Sequence, residues 1–239
     1  MAEVAEPPLR LPRQSTMAVA RVTNLLAAIR AIGATVDEAV VFFSSGKDSI
    51  AMLDLFQRFL PSRFTPVFLY FVRGLEFQER VLRYYEGRFS IAIQRRPHWD
   101  IANYDRVARN QKQRALKERD IAAHIREETG LSWLAYGYRT DESMQRRGQL
   151  RTFAPTFIDH KFKKLYPLGA WSRHHVESYV KDRRLLLPAE YAHGYRNIDQ
   201  FKGPAVLWIK NSYPDDWARI IARFPAVEAE AVRQEARSS

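Results

Sequence analysis

The chain has 239 residues, 46% of them hydrophobic and 13% aromatic, which suits one large α/β domain with appendages and a packed core. It contains no cysteine, which excludes disulfides, thiolate zinc sites, cysteine-ligated iron–sulfur clusters and any cysteine nucleophile. A formal charge of +11 fits anionic partners such as nucleotides, nucleic acid, or sulfate and phosphate esters, and equally fits a basic surface that only aids solubility.

The N-terminal MAEVAEPPLRLPRQST mixes acidic residues and prolines without an apolar centre, so residues 1–16 read as a flexible arm and not as a secretory signal. Met17 to Ile32 carries apolar residues near the 3.6 period and predicts an amphipathic helix, with Gly33 as its stop. Glu38 to Phe43 reads as a buried strand, and Lys47 to Leu60 as a helix ended before Pro61. A second strand is expected over Pro66 to Val72, a helix from Leu75 to Tyr85 after Gly74, and a third strand near Phe89 to Ile93. Tyr104 to Glu128 reads as a long, strongly basic helical region, and Trp133 to Tyr138 as a fourth strand. Strands alternating with helices predict an α/β fold: an open, mostly parallel twisted sheet with helices on both faces.

The last hundred residues change character. Phe153 to Leu168 is expected to be irregular or briefly paired. Ser172 can cap a helix through Lys181, with Trp171 and Val176 as its hydrophobic staple. Pro214 starts another helix, whose apolar face is Trp217, Ile220, Ile221 and Phe224. The chain thus divides into an α/β domain over 17–150, an extension over 151–225 packed on it, and a fraying tail over 226–239. No run of 18 apolar residues occurs, so no transmembrane helix and no membrane partner are expected, and a cytoplasmic location is.

The stretch Ser44-Ser45-Gly46-Lys47-Asp48-Ser49 lies between the first strand and its helix. A helix start presents unpaired N–H groups and a positive dipole end, and Gly46 lets the backbone approach an anion. The serines add hydroxyl donors and Lys47 a full charge. The loop is not a GxxxxGK[ST] P-loop, because Val41 or Phe42 stands where the first glycine belongs and Asp48 where the metal-binding hydroxyl does. Further on, Arg139, Glu142 and Arg146 would share one face if helical, at i, i+3 and i+7, either as a phosphate or sulfate clamp or as a surface salt-bridge ladder. The histidines make a poor metal site: His174 and His175 are adjacent and diverge on a helix, and His160 has no second pair. Arg106 to Arg119 carries six cations that suit a nucleic-acid backbone, a solvated face or a flap over phosphates.

The strand, SSGKDS and helix resemble the SGGKDS pyrophosphate loop of the PP-loop ATP pyrophosphatases, the adenine nucleotide α-hydrolase superfamily. GYRTDESMQRR (Gly137 to Arg147) and PLGAWSRHHVESYV (Pro167 to Val180) are similar to the G-x-R-x-x-E-S-x-x-R and P-L-x-x-W-[ST]-x-x-x-V segments of its PAPS reductase-like branch. That branch includes sulfonucleotide reductases, the small subunit of ATP sulfurylase and FAD synthetases. The resemblance implies ATP, or a related adenine nucleotide such as 3′-phosphoadenosine 5′-phosphosulfate, held by Ser44, Ser45, Gly46, Lys47, Ser49, Gly74, Arg139, Glu142 and Arg146. Lys47 and Asp48 would be the catalytic pair, and Mg²⁺ would accompany the nucleotide. An adenylyl transfer with pyrophosphate release is implied, onto an acceptor the sequence does not name.

Two departures qualify it. The relatives' Asp-Thr-Gly-x-x-Phe after the second strand is Val72-Arg73-Gly74-Leu75-Glu76-Phe77 here, so the strand-end carboxylate is lost. The cysteine of the sulfonucleotide reductases is absent too, which rules out a cycle through an enzyme S-sulfocysteine for this chain alone. Two other readings therefore stay open: a nucleotide-sensing subunit without turnover, and a nucleic-acid-modification partner. Partners expected are an adenine nucleotide, an anionic acceptor, nucleic acid, and a second copy or another subunit.

Overall fold

The computed structural model of the protein describes residues 28–61, 63–109, 112, 114–195 and 201–238. The strands are β1 (Ala39–Phe42), β2 (Phe64–Tyr70), β3 (Gln94–Pro97), β4 (Trp133–Ala135), β5 (Ile158–Asp159) and β6 (Lys164–Leu165). The helices are α1 (28–35 of the described chain), α2 (Lys47–Phe59), α3 (Glu76–Phe89), α4 (Trp99–Ala108), α5 (Glu118–Thr129) and α6 (Met144–Arg151), then α7 (Arg173–Asp182), α8 (Ala205–Ser212), α9 (Pro214–Arg223) and α10 (Ala226–Ser238). The strands form one sheet in the order β3-β2-β1-β4-β6-β5, parallel throughout except for the β5–β6 hairpin. This is the α/β architecture that the alternation of strands and helices predicts.

β1 sits at the centre because Ala39, Val40 and Val41 are fully buried on both faces, as a parallel strand between helical layers requires. One apolar cluster packs α2, α3 and α7 against one face of the sheet, and a second packs α5 and the Tyr136–Tyr166 region against the other. On the first face, buried Asp54 of α2 accepts hydrogen bonds from the Tyr179 hydroxyl and from Arg183 Nε at 3.1 Å, tying α2 to α7 and the turn behind it. Burial beside that carboxylate pushes the Tyr179 hydroxyl well above its usual pKa. A third cluster joins α8, α9 and α10 to Val72, Leu75 and Phe77, so the C-terminal helices rest on the turn between β2 and α3.

Several expectations need correction. The part of the helix expected over Met17 to Ile32 that precedes residue 28, and the arm at 1–16, lie outside the described residues. α1 runs past Gly33 to residue 35, where Arg63 caps it through the carbonyls of Gly33, Val36 and Asp37. α3 continues to Phe89 because Ser90 takes the left-handed cap at φ 52°, so the third strand is the polar Gln94–Pro97 and not Phe89 to Ile93. A polar strand is tolerated there because β3 is an edge.

The long helix over Tyr104 to Glu128 is two helices. The Asn103 side chain bonds both the N–H and the carbonyl of Leu116, at 2.7 and 2.9 Å, which ties α4 to the residue pair before α5. The cations of Arg106 to Arg119 are therefore divided between two helices and their connection. The tail after Pro225 is helical: α10 buries Ala231 and Gln234, and Glu230 accepts from the Gly203 N–H at 3.0 Å. Phe153 to Leu168 contains the short β5–β6 pair, Ser172 caps α7 through His175 N–H, and Pro214 opens α9, all as expected.

Candidate functional site

The carboxyl ends of β1, β2 and β4 converge on the Ser44–Ser49 loop. Lys47 is the first residue of α2, and Gly46 is its N-cap at φ −71°, ψ 158°. The left-handed residue is Ser45, at φ 57°, where the similar SGGKDS loops carry glycine. A Cβ on Gly46 would meet only ordinary contacts, 3.5 Å from Ser44 Oγ and 3.6 Å from the Tyr191 hydroxyl. The conformational demand thus falls on Ser45. Inside the loop the Ser49 hydroxyl accepts from Ser44 N–H at 3.1 Å and donates to the Gly46 carbonyl at 2.9 Å. Ser45, Lys47 and Ser49 are all buried, so the loop is held by packing as well as by its internal bonds.

The charges are arranged around Asp48. Its Oδ2 lies 2.8 Å from Lys47 Nζ and its Oδ1 lies 2.6 Å from Arg139 Nε. The second contact lacks hydrogen-bond geometry, so it is a charge contact without a directional bond. Arg139, buried to 5% exposure, also bonds Asp141 and lies 3.9 Å from Glu142. Asp141 in turn accepts from Arg173 N–H at 2.7 Å, which ties this loop to the start of α7. Partial burial raises the Glu142 carboxyl above its usual pKa, and Asp48 adds to the effect while Arg139 opposes it.

Residues 136–143 are not helical, and α6 begins at Met144 with Ser143 as cap. The expected common helical face of Arg139, Glu142 and Arg146 is therefore absent. The loop brings Arg139 and Glu142 together by another route. Arg146 lies with its guanidinium 3.4 Å from the centre of the Tyr138 ring and donates to Gln149 at 3.0 Å, close enough for its charge to act on Glu142. Gly74 sits at φ +70° in the turn after β2, and its carbonyl accepts from Arg219 Nη1 at 2.6 Å. Gly74 does not line the cavity described next.

That cavity, about 730 Å³, opens at the carboxyl ends of β1 and β2 and meets the loop at Ser44. Phe42, Val67 and Leu69 form its floor, and Phe71, His98 and Trp99 stand at its wall as a ring stack, with centroids 4.3 and 3.7 Å apart. Burial lowers the His98 pKa, against the opposing pull of the Asp100 carboxylate, and its Nδ1 accepts from Asp100 N–H. Phe201, Lys202 and Phe224 close the far side.

Sequence reasoning missed these walls, since they come from the end of β2, the start of α4 and the segments around the C-terminal helices. It also missed Tyr191, whose hydroxyl accepts from the Lys47 N–H at 3.1 Å across 144 positions of sequence. No local pattern marks such a contact.

The residues do not build a magnesium site of their own. Among the described residues no three His, Asp or Glu side chains cluster to hold a metal ion, and both oxygens of Asp48 already face cations.

A loop between a central parallel strand and its helix, on a sheet of this order, defines the adenine nucleotide α-hydrolase fold. Within that class the chain belongs to the phosphoadenosine phosphosulfate reductase family, whose domain matches residues 38–204. Among solved structures it is similar to phosphoadenylyl-sulfate (PAPS) reductase from Candida auris, with TM-score 0.52 and 13% identity over 78% of this chain and 95% of that one. It is similar at TM-score 0.52 to the NH3-dependent NAD synthetase of Campylobacter jejuni, with 10% identity over 95% of this chain and 97% of that one. Yeast FAD synthetase in complex with FAD also matches at TM-score 0.52, with 11% identity over 78% and 67% of the two chains. These likenesses establish the fold. Comparison with curated protein sequences finds no match.

Proposed function

We propose that the protein binds ATP or a related adenine nucleotide, with the base in the aromatic cavity and the phosphates on the Ser44–Ser49 loop, and transfers its adenylyl group to an acceptor. The observation that carries this reading is the junction at Ser44 between an aromatic cavity and a cradle of backbone N–H groups and lysine. In the reaction an acceptor heteroatom attacks the α-phosphorus in line, the α–β bridging P–O bond breaks, pyrophosphate leaves, and the acceptor proton passes to solvent. No covalent protein intermediate is needed; positioning and charge stabilisation supply the catalysis.

Lys47 would turn from Asp48 to the leaving pyrophosphate, cradled by Ser44, Ser45, Gly46 and Ser49. Asp48 holds Lys47 and Arg139 in place until then. Arg139, with Glu142 beside it, and Arg146 would meet the nucleotide or an anionic acceptor, a partner class that the +11 charge favours. Gly74 would act through the turn it forms and not by contact. Magnesium would arrive on the phosphates, because the described residues offer no carboxylate cluster for it.

A second reading, a nucleotide-sensing subunit without turnover, is favoured by the turn after β2. Val72 and Arg73 replace a carboxylate there, and the Arg73 carbonyl is held by Arg219. Pyrophosphate release separates the two. Adenylyl transfer predicts ATP-dependent release with an acceptor-containing extract, lost in Lys47→Ala. Tight ATP binding with no release from any acceptor fraction would select the sensing reading.

A further inference from the structure

The end of the sheet remote from the nucleotide cradle carries a feature that the proposed activity does not use. The turn between β5 and β6 reads His160-Lys161-Phe162-Lys163, and all four residues are exposed, Phe162 to 57%. β6 runs parallel to β4, with Leu134 N–H bonded to the Lys163 carbonyl, so the turn lies at the amino ends of these strands, opposite the Ser44–Ser49 loop. A single exposed phenylalanine is ordinary on a protein surface. This one is held in a fixed pose. Its N–H donates to buried Asp159 at 3.0 Å, its carbonyl accepts from Arg126 of α5 at 2.6 Å, and Lys163 sits in the left-handed region at φ 49°.

The exposed residues on either side of Phe162 in the turn, Lys161 and Lys163, are basic. Lys161 Nζ lies 5.3 Å from the ring centre, and neither Lys161 nor Lys163 has a salt bridge among the described residues. The nearby carboxylates are engaged: Asp159 caps the turn and Glu118 pairs with Lys164 at 2.9 Å. An exposed aromatic ring with one ammonium group 5.3 Å from its centre, and a second exposed lysine next in sequence, matches a base next to its phosphates. A lipid surface fits less well, because membrane affinity grows with apolar area and the turn offers one apolar residue. A duplex fits less well because its bases are already stacked.

We propose that the β5–β6 turn is a docking point for single-stranded nucleic acid, with Phe162 as a stacking platform and Lys161 and Lys163 as phosphate contacts. DNA and RNA strands bind alike, since base faces and phosphates are common to both and the turn has no group committed to a 2′-hydroxyl.

The test is fluorescence anisotropy of the full chain with labelled 20-mers of dT and U, a 20-base-pair duplex, and anionic phosphatidylserine vesicles, with and without saturating ATP. The expected result is binding of both single strands within a few-fold of each other, weaker duplex binding, and no displacement by ATP. Phe162→Ala should weaken single-strand binding by about tenfold at unchanged salt slope, and Phe162→Trp should restore it. Lys161→Gln with Lys163→Gln should lower the salt slope by about 1.4, two phosphates at ~0.7 each. Thermal melts of all variants at the wild-type temperature exclude unfolding as the cause. Unchanged affinity in Phe162→Ala, displacement by ATP, equal duplex binding, or vesicle binding without oligonucleotide binding would each overturn the proposal.

Discussion

At the scale of residues, the place of the loop between strand and helix was legible in SSGKDS, but its strain was not. Gly46 reads as the residue that lets the backbone approach an anion, but Ser45 is the one in the left-handed region and Gly46 is extended. Ser45→Gly is expected to stabilise the protein by about 0.5–1 kcal/mol, because relief of left-handed strain outweighs glycine's added unfolded-state entropy. Chemical denaturation with an unchanged m-value reads this directly. Tyr191 shows the limit of local reading. Its hydroxyl takes the Lys47 N–H, a position that a phosphate oxygen would take in the proposed complex. Tyr191→Phe should therefore bind ATP as well as wild type or up to about threefold tighter, the scale of one neutral hydrogen bond. A tenfold loss in titration would instead make the hydroxyl part of the nucleotide site.

At the scale of elements, the apolar periodicity located α2, α7 and α9 well, since each buries one stripe on the sheet or its neighbours. It failed where polar interactions set the boundary: Arg63 extending α1, Ser90 extending α3, and Asn103 of α4 bonding Leu116 just before α5. β3 eluded it because Arg95 replaces apolar contact with a bracket to Glu79 and Glu86. The hydrogen bond from Arg95 is the main cause holding the Glu86 carboxyl below its ordinary value of 4.5. A carboxylate whose pKa is lower folded than unfolded adds stability above the unfolded value and loses it as pH falls through the folded one. The melting temperature should therefore decline below about pH 4.5, and less steeply in Arg95→Met, as thermal scans across pH would show.

Gly169 links two elements of the site. Its carbonyl accepts from both the N–H and the hydroxyl of Thr140, beside Arg139, and a Cβ there would lie 2.2 Å from the Phe157 ring. Gly169→Ala should cost about 1–3 kcal/mol by overpacking. A denaturation midpoint equal to wild type would contradict that packing.

At the scale of the whole molecule, the alternation of strands and helices carried the fold class, because parallel strands need helical crossovers and those leave a period in the sequence. The cavity could not be read the same way. Its walls are drawn from β1, β2, the start of α4 and the segments flanking α8 to α10, brought together only by folding. The C-terminal helices matter to it through Asp216, whose carboxylate accepts from the Glu76 and Phe77 N–H groups at the start of α3, at 2.9 and 3.1 Å. Asp216→Ala should cost about 1–2 kcal/mol as a lost helix cap. It should also weaken nucleotide binding indirectly if the β2–α3 turn shapes the cavity mouth, which parallel melts and titrations resolve.

The central claim is that the Ser44–Ser49 loop and its adjoining cavity hold an adenine nucleotide. Calorimetric titration of wild type and Lys47→Ala with ATP, AMP and 3′-phosphoadenosine 5′-phosphate, with and without Mg²⁺, tests it most directly. The account predicts micromolar binding of at least one of the three, weakened about tenfold or more in Lys47→Ala, a loss of ~1.4 kcal/mol. No binding of any of the three to wild type, or equal binding by the variant, would contradict it.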